Sequence, residues 1–133
     1  MIVVDASVWV SYYNSADANN AASATWFKQQ LNNQTPLVIP TLALPEIGGA
    51  IARRMDQTQA RNIISNLRNL ASLIIIEVDD TLGRQAATLA IDLRLRGADA
   101  VYVAVAQYFN LPLITWDAEI INRSKNVIQV NTP

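Results

Sequence analysis

Leu73-Ile74-Ile75-Ile76-Glu77-Val78 is the stretch on which the fold turns. Isoleucine and valine dominate it, and β-branched side chains favour a strand. The apolar residues do not alternate with polar ones, which predicts a strand covered on both faces by helices, as in a parallel sheet. On its N-terminal side Ala60, Ile63, Ile64, Leu67 and Leu70 recur at the spacing of one helical face, predicting an amphipathic helix from Thr58. On its C-terminal side Asp79 or Asp80 can cap a helix carrying Leu82, Ala86, Leu89 and Leu93, which Gly97 is expected to close.

The same alternation extends to both ends of the chain. Ile2 to Val4 reads as a short buried strand ending at Asp5, followed by a helix from Val8 to Asn14 with Ser7 as its N-cap. A helix over Ala21 to Leu31 precedes a second strand, Leu37 to Ile39, stopped by Pro40. Thr41 can cap a helix running to about Arg54, with Pro45 tolerated in its first turn. Ala98 to Phe109 is helical and apolar nearly all round, so it is expected at the centre of the molecule. Leu113 to Trp116 reads as a strand, Ala118 to Ser124 as a short helix and Val127 to Val130 as a last strand. Short strands alternating with helices predict an α/β three-layer sandwich with a mainly parallel central sheet of about five strands, built as one domain over residues 1–133.

Composition limits the chemistry. The chain has no cysteine and no histidine, which excludes disulfides, thiolate zinc sites, cysteine nucleophiles and every Ser-His-Asp arrangement. Carboxylates, hydroxyls and amides remain, and these suit hard, oxygen-liganded cations such as Mg²⁺ or Mn²⁺. The longest unbroken apolar run, Ala100 to Ala106, falls far short of the roughly 20 residues of a membrane span. The opening Met-Ile-Val-Val-Asp has no basic segment and no small-residue cleavage site, so no secretory signal is expected, and a cytoplasmic location fits.

Ligands of parallel α/β sheets bind beyond the carboxyl ends of the strands, where the strand order reverses. Asp5 follows strand one and Asp117 follows strand four; Glu46 lies early in the helix after strand two, and Asp99 opens the apolar helix. Singly, an aspartate near a helix start is a routine cap, and Glu46 reads as a solvated helix residue. Together, four carboxylates from four stretches can converge on one crevice, and their repulsion is tolerable only when protons or cations neutralise it.

Four segments carry a resemblance. Met1-Ile2-Val3-Val4-Asp5-Ala6-Ser7, Pro45-Glu46-Ile47-Gly48-Gly49-Ala50-Ile51-Ala52-Arg53, Arg96-Gly97-Ala98-Asp99-Ala100 and Leu113-Ile114-Thr115-Trp116-Asp117 resemble, in order and spacing, the motifs of PIN domains. The length is most similar to VapC-type toxins of toxin–antitoxin pairs. Gly49 stands where many members carry asparagine, and Trp116 is bulkier than usual between Thr115 and Asp117. The resemblance implies a Mg²⁺- or Mn²⁺-dependent endoribonuclease with Asp5, Glu46, Asp99 and Asp117 as the metal-binding, catalytic acids. It implies Ser7 and Thr115 as hydroxyls that orient Asp5 and Asp117. It also implies an RNA substrate, a cognate antitoxin whose tail fills the acidic cleft, and a homodimer.

The formal net charge is −1, yet setting the four acids aside leaves seven acids against ten basic residues. Arg53, Arg54, Arg94 and Arg96 could therefore touch phosphates, although each also reads as a solvated arginine at a helix end. Trp9, Tyr12 and Tyr13 could stack on unpaired bases, but core packing is the commoner use of such aromatics. Exposed apolar side chains on the early helices would suit a dimer contact. Gly48 and Gly49 inside a helix imply close packing as compensation. Two other classes compete. A phosphoryl-accepting domain needs paired acids after strand one with a late lysine, or a second aspartate two residues after the first, where this chain has Ser7. A non-catalytic interaction module, with the acids merely capping helices, predicts no stabilisation by divalent cations.

Overall fold

The computed structural model describes residues 1–133. Its element order is β1 (Ile2–Val4), α1 (Ala6–Tyr13), α2 (Asn20–Asn32), β2 (Leu37–Pro40), α3 (Ala43–Arg54), α4 (Gln57–Arg68), β3 (Leu73–Ile76), α5 (Asp80–Leu93), α6 (Gly97–Phe109), β4 (Leu113–Ile114), α7 (Ala118–Ser124) and β5 (Val130–Asn131). The five strands form one sheet in the order β3-β2-β1-β4-β5. Every pairing is parallel. From β1 the chain steps outward to β2 and β3, then crosses back to β4 and β5. Right-handed crossovers then place α1 to α4 on one face and α5 to α7 on the other. The contacts divide in the same way: α1 touches α2 and α3, and α3 touches α4, whereas α6 touches α5 and α7.

Helix α6 packs on β1, β2 and β4 and is the centre of its layer. Ala100, Val103, Ala104, Val105 and Ala106 are fully buried, and the alanines leave room for a close approach to the sheet. On the opposite face α3 and α4 pack tightly at Gly48, where a Cβ would stand 3.3 Å from Cγ1 of Ile64. Gly49 makes no such approach to another element; its nearest neighbour is the Arg53 side chain of its own helix. No helix is long and apolar enough to cross a membrane.

Several local expectations are corrected. Helix α1 begins earlier than expected because Asp5, not Ser7, is its N-cap, accepting from the Ser7 backbone N–H. Thr41 does not cap α3, whose N-cap position is Leu42 without a side-chain bond. Asp56 caps α4 and Asp79 caps α5. Gly97 does not end α5; Arg94 takes the left-handed conformation there, and Gly97 opens α6. The decisive strand β3 is an edge strand rather than a covered one. Ile74 is exposed and its neighbours are only half-buried, because nothing pairs beyond β3.

Trp9 is buried with its ring centroid 4.4 Å from Phe27, and Tyr12 lies 4.8 Å from the same ring. These aromatics therefore pack the α1–α2 face of the core. The large apolar side chains on the surface lie mostly elsewhere, notably Ile91, Tyr108 and Phe109 of α5 and α6.

Candidate active site

The sheet order reverses between β1 and β4, so the chain leaves these two strands in diverging directions and opens a crevice at their carboxyl ends. A cleft of about 480 Å³ lies there, and Asp5, Glu46, Asp99 and Asp117 all line it. Ser7, Asp17, Asn19, Arg53, Arg54, Arg96 and Trp116 share its wall. A roomier groove between α3 and α4 contains none of the four acids.

Asp5 sits where the buried strand β1 ends, and it is 6% exposed. Its Oδ2 accepts from the Ser7 hydroxyl, from Thr115 Oγ1 at 2.8 Å and from the Ser7 N–H at 3.3 Å. Oδ1 accepts none of these bonds and is not among the sealed, unpaired polar atoms, so it opens onto the cleft. Burial pushes the Asp5 carboxyl above its ordinary range; the Ser7 and Thr115 bonds oppose the shift and the charge of Asp99 adds to it.

Glu46 projects from the first turn of α3, and its Oε2 accepts from the Tyr102 hydroxyl at 2.7 Å. Its carboxyl is raised by burial and by the charges of Asp5 and Asp99, against the Tyr102 bond and Arg96. Tyr102 in turn is pushed up by burial and by Asp5 and Glu46, so it stays a neutral donor. Tyr102 was not singled out from the sequence. The signal was available: it stands three residues after Asp99 and is the one hydroxyl in an otherwise aliphatic stretch.

Asp99 in the first turn of α6 is raised by burial, opposed by Arg96 and reinforced by Asp117 and Glu119. Asp117 caps α7: Oδ1 accepts from the Glu119 N–H at 2.7 Å and the Ile120 N–H at 3.2 Å. Arg96 joins the two acids, donating from Nε to Asp99 Oδ2 at 2.7 Å and from Nη2 to Asp117 Oδ2 at 2.8 Å. The side chains as they stand thus line one cleft but form no group of three that could close on a single ion. Asp99 and Asp117 are held by Arg96, and Glu46 is held by Tyr102.

Of the other arginines, Arg53 and Arg54 line the cleft, with Arg54 3.5 Å from Asp17. Arg94 does not line it. Trp116 is fixed at the wall: its Nε1 donates to Ser23 Oγ at 2.9 Å and its backbone N–H to Ser7 Oγ at 3.1 Å.

Thr115 is fully buried and works in two directions, donating to Asp5 and accepting from the Asp117 N–H at 2.9 Å. Thr115→Val keeps the shape and leaves both partners short of a bond. It is expected to lower stability by about 1–3 kcal/mol in urea denaturation. An unchanged midpoint would show that water replaces the hydroxyl.

The PIN domain family model matches residues 2–126. A comparison with curated protein sequences gives no match. Among solved structures, VapC20 of Mycobacterium tuberculosis, a sarcin-ricin loop cleaving toxin, superposes with a TM-score of 0.78 at 20% identity, covering 92% of this chain and 94% of its own. A toxin–antitoxin complex from Klebsiella pneumoniae gives 0.68 at 19% identity, over 100% of this chain and 98% of that one. VapBC2 from Rickettsia felis, bound to a DNA fragment from its promoter, gives 0.73 at 16% identity, over 100% and 99%. At these identities the superpositions establish a shared fold, while the family model spans all four segments that supply the acids. On that match the chain belongs to the PIN-domain family.

Proposed function

We propose that this protein is a Mg²⁺- or Mn²⁺-dependent endoribonuclease and the toxin of a type II toxin–antitoxin pair. The observation that carries the reading is the convergence of Asp5, Glu46, Asp99 and Asp117 on one cleft at the carboxyl ends of β1 and β4. The donor set fits a hard divalent cation. It consists of carboxylate oxygens, among them Asp5 Oδ1, which accepts no protein hydrogen bond, and burial, with a smaller contribution from neighbouring carboxylates, raises three of the four groups. Asp5, Glu46, Asp99 and Asp117 would hold the ion. Once bound, the metal supplies Lewis-acid activation of water and neutralisation of charge at the departing 3′ oxygen.

The chain's own residues do the rest. Ser7 and Thr115 fix the Asp5 carboxylate by saturating Oδ2 and leaving Oδ1 toward the cleft. Tyr102 fixes Glu46. Arg53 and Arg54, on the same wall, are placed to meet backbone phosphates of RNA. The reading includes an antitoxin partner, as in the Klebsiella complex, a cytoplasmic location and a homodimer. RNA incubated with the purified protein is expected to be cut with Mn²⁺ or Mg²⁺ and left intact with EDTA. Cleavage that survives EDTA overturns the mechanism.

A further inference from the structure

Arg96 is the N-cap residue of α6 and makes no capping bond, so its guanidinium reaches forward over the first turn of its own helix. A positive charge there opposes the helix dipole, and two carboxylates hold it in place. The side chain is 68% exposed, against 12% for Asp99 and 25% for Asp117. Its head can therefore leave for water while the acids remain. Asp117 Oδ1 is committed to the N–H groups of α7, so Oδ2 is the oxygen it can offer to another partner, and Arg96 occupies it. A cation bound at these oxygens would lie against the positive guanidinium, so the two repel each other and compete for the same carboxylates.

We propose that Arg96 is an internal counterion that competes with the divalent cation for Asp99 and Asp117, so that metal binding requires its guanidinium to be released into the mouth of the cleft. This rests on the metal-dependent reading above. It explains why carboxylates that share a cleft do not already form a group able to hold an ion. The bridge also supplies neutralising charge directly to Asp99 and Asp117.

Calorimetric titration with Mn²⁺ of the wild type, Arg96→Gln, Arg96→Lys and an Arg84→Gln control tests the competition. Arg84 pairs with Asp80 on the exposed surface, away from the cleft, so its variant is expected to bind as the wild type does. Arg96→Gln is expected to bind about tenfold more tightly, because two charge-assisted bonds no longer have to be broken. Arg96→Lys keeps the charge but lacks the planar fork that spans both carboxylates, and it too is expected to bind more tightly than the wild type. If Arg96→Gln binds Mn²⁺ no more tightly than the wild type, the competition is overturned. In the wild type the Arg96 Nε–H NMR resonance is expected to move on saturation with Mg²⁺, and an unmoved resonance overturns it equally. Absence of Mn²⁺ binding in every protein overturns the metal-dependent reading itself.

Discussion

Asp5→Asn is expected to abolish metal-dependent RNA cleavage, with a loss of at least about 100-fold, while leaving the fold intact. The asparagine side chain oxygen can still accept from Ser7 and Thr115, so the end of β1 and the start of α1 keep their bonds. What disappears is the negative charge on the oxygen that opens onto the cleft. Circular dichroism should match the wild type, and the melting temperature without metal should not fall, because a buried carboxylate near Asp99 and Glu46 has been neutralised. Thermal stabilisation by Mn²⁺ should disappear with the activity. Cleavage within a few-fold of the wild type would remove Asp5 from the site.

The second large effect is a reversal of pH dependence by metal. Asp5, Glu46 and Asp99 all titrate above their ordinary values of 3.8, 4.5 and 3.8 in the folded chain. The folded state therefore holds protons that the unfolded chain has released. Their contribution to stability is complete below about pH 4 and is lost as pH rises through the folded values. Metal-free protein is accordingly expected to melt at progressively lower temperature as pH rises above the ordinary carboxylate range. A divalent cation binds the deprotonated carboxylates, so its stabilisation grows over the same range, reaching about 2.7 kcal/mol at a hundredfold excess over Kd. Melting curves in EDTA and in excess Mg²⁺ should therefore diverge toward alkaline pH. Parallel curves would mean that the cleft does not bind the ion.

The residues differ in how plainly the sequence announces them. Ile2-Val3-Val4-Asp5 states both a buried strand and the carboxylate at its end, and the helical stripe of Ala60 to Leu70 states an amphipathic helix. The Leu73–Val78 run gave the strand and its parallel setting but not its position, since a covered strand and a half-exposed edge strand share the same apolar composition. Gly97 looked like a helix stop because glycine favours the left-handed conformation, yet the backbone takes that turn at Arg94. The order of the four acids along the chain was legible, and so was their common side of the sheet. Their partners were not. The Tyr102–Glu46 bond joins helices from opposite layers, and Arg96 reaches two acids with a side chain whose conformation no local pattern dictates.

The position of β4 has a consequence for biosynthesis. Val3 pairs with Leu113, so the strand that flanks β1 on the cleft side is made only after β1, β2, β3 and the helices up to α6. A nascent polypeptide can already form β1, β2 and β3, yet it lacks Thr115 to steady Asp5 and lacks Asp117 altogether. The acidic crevice is therefore completed only once β4 and the residues that follow it have emerged.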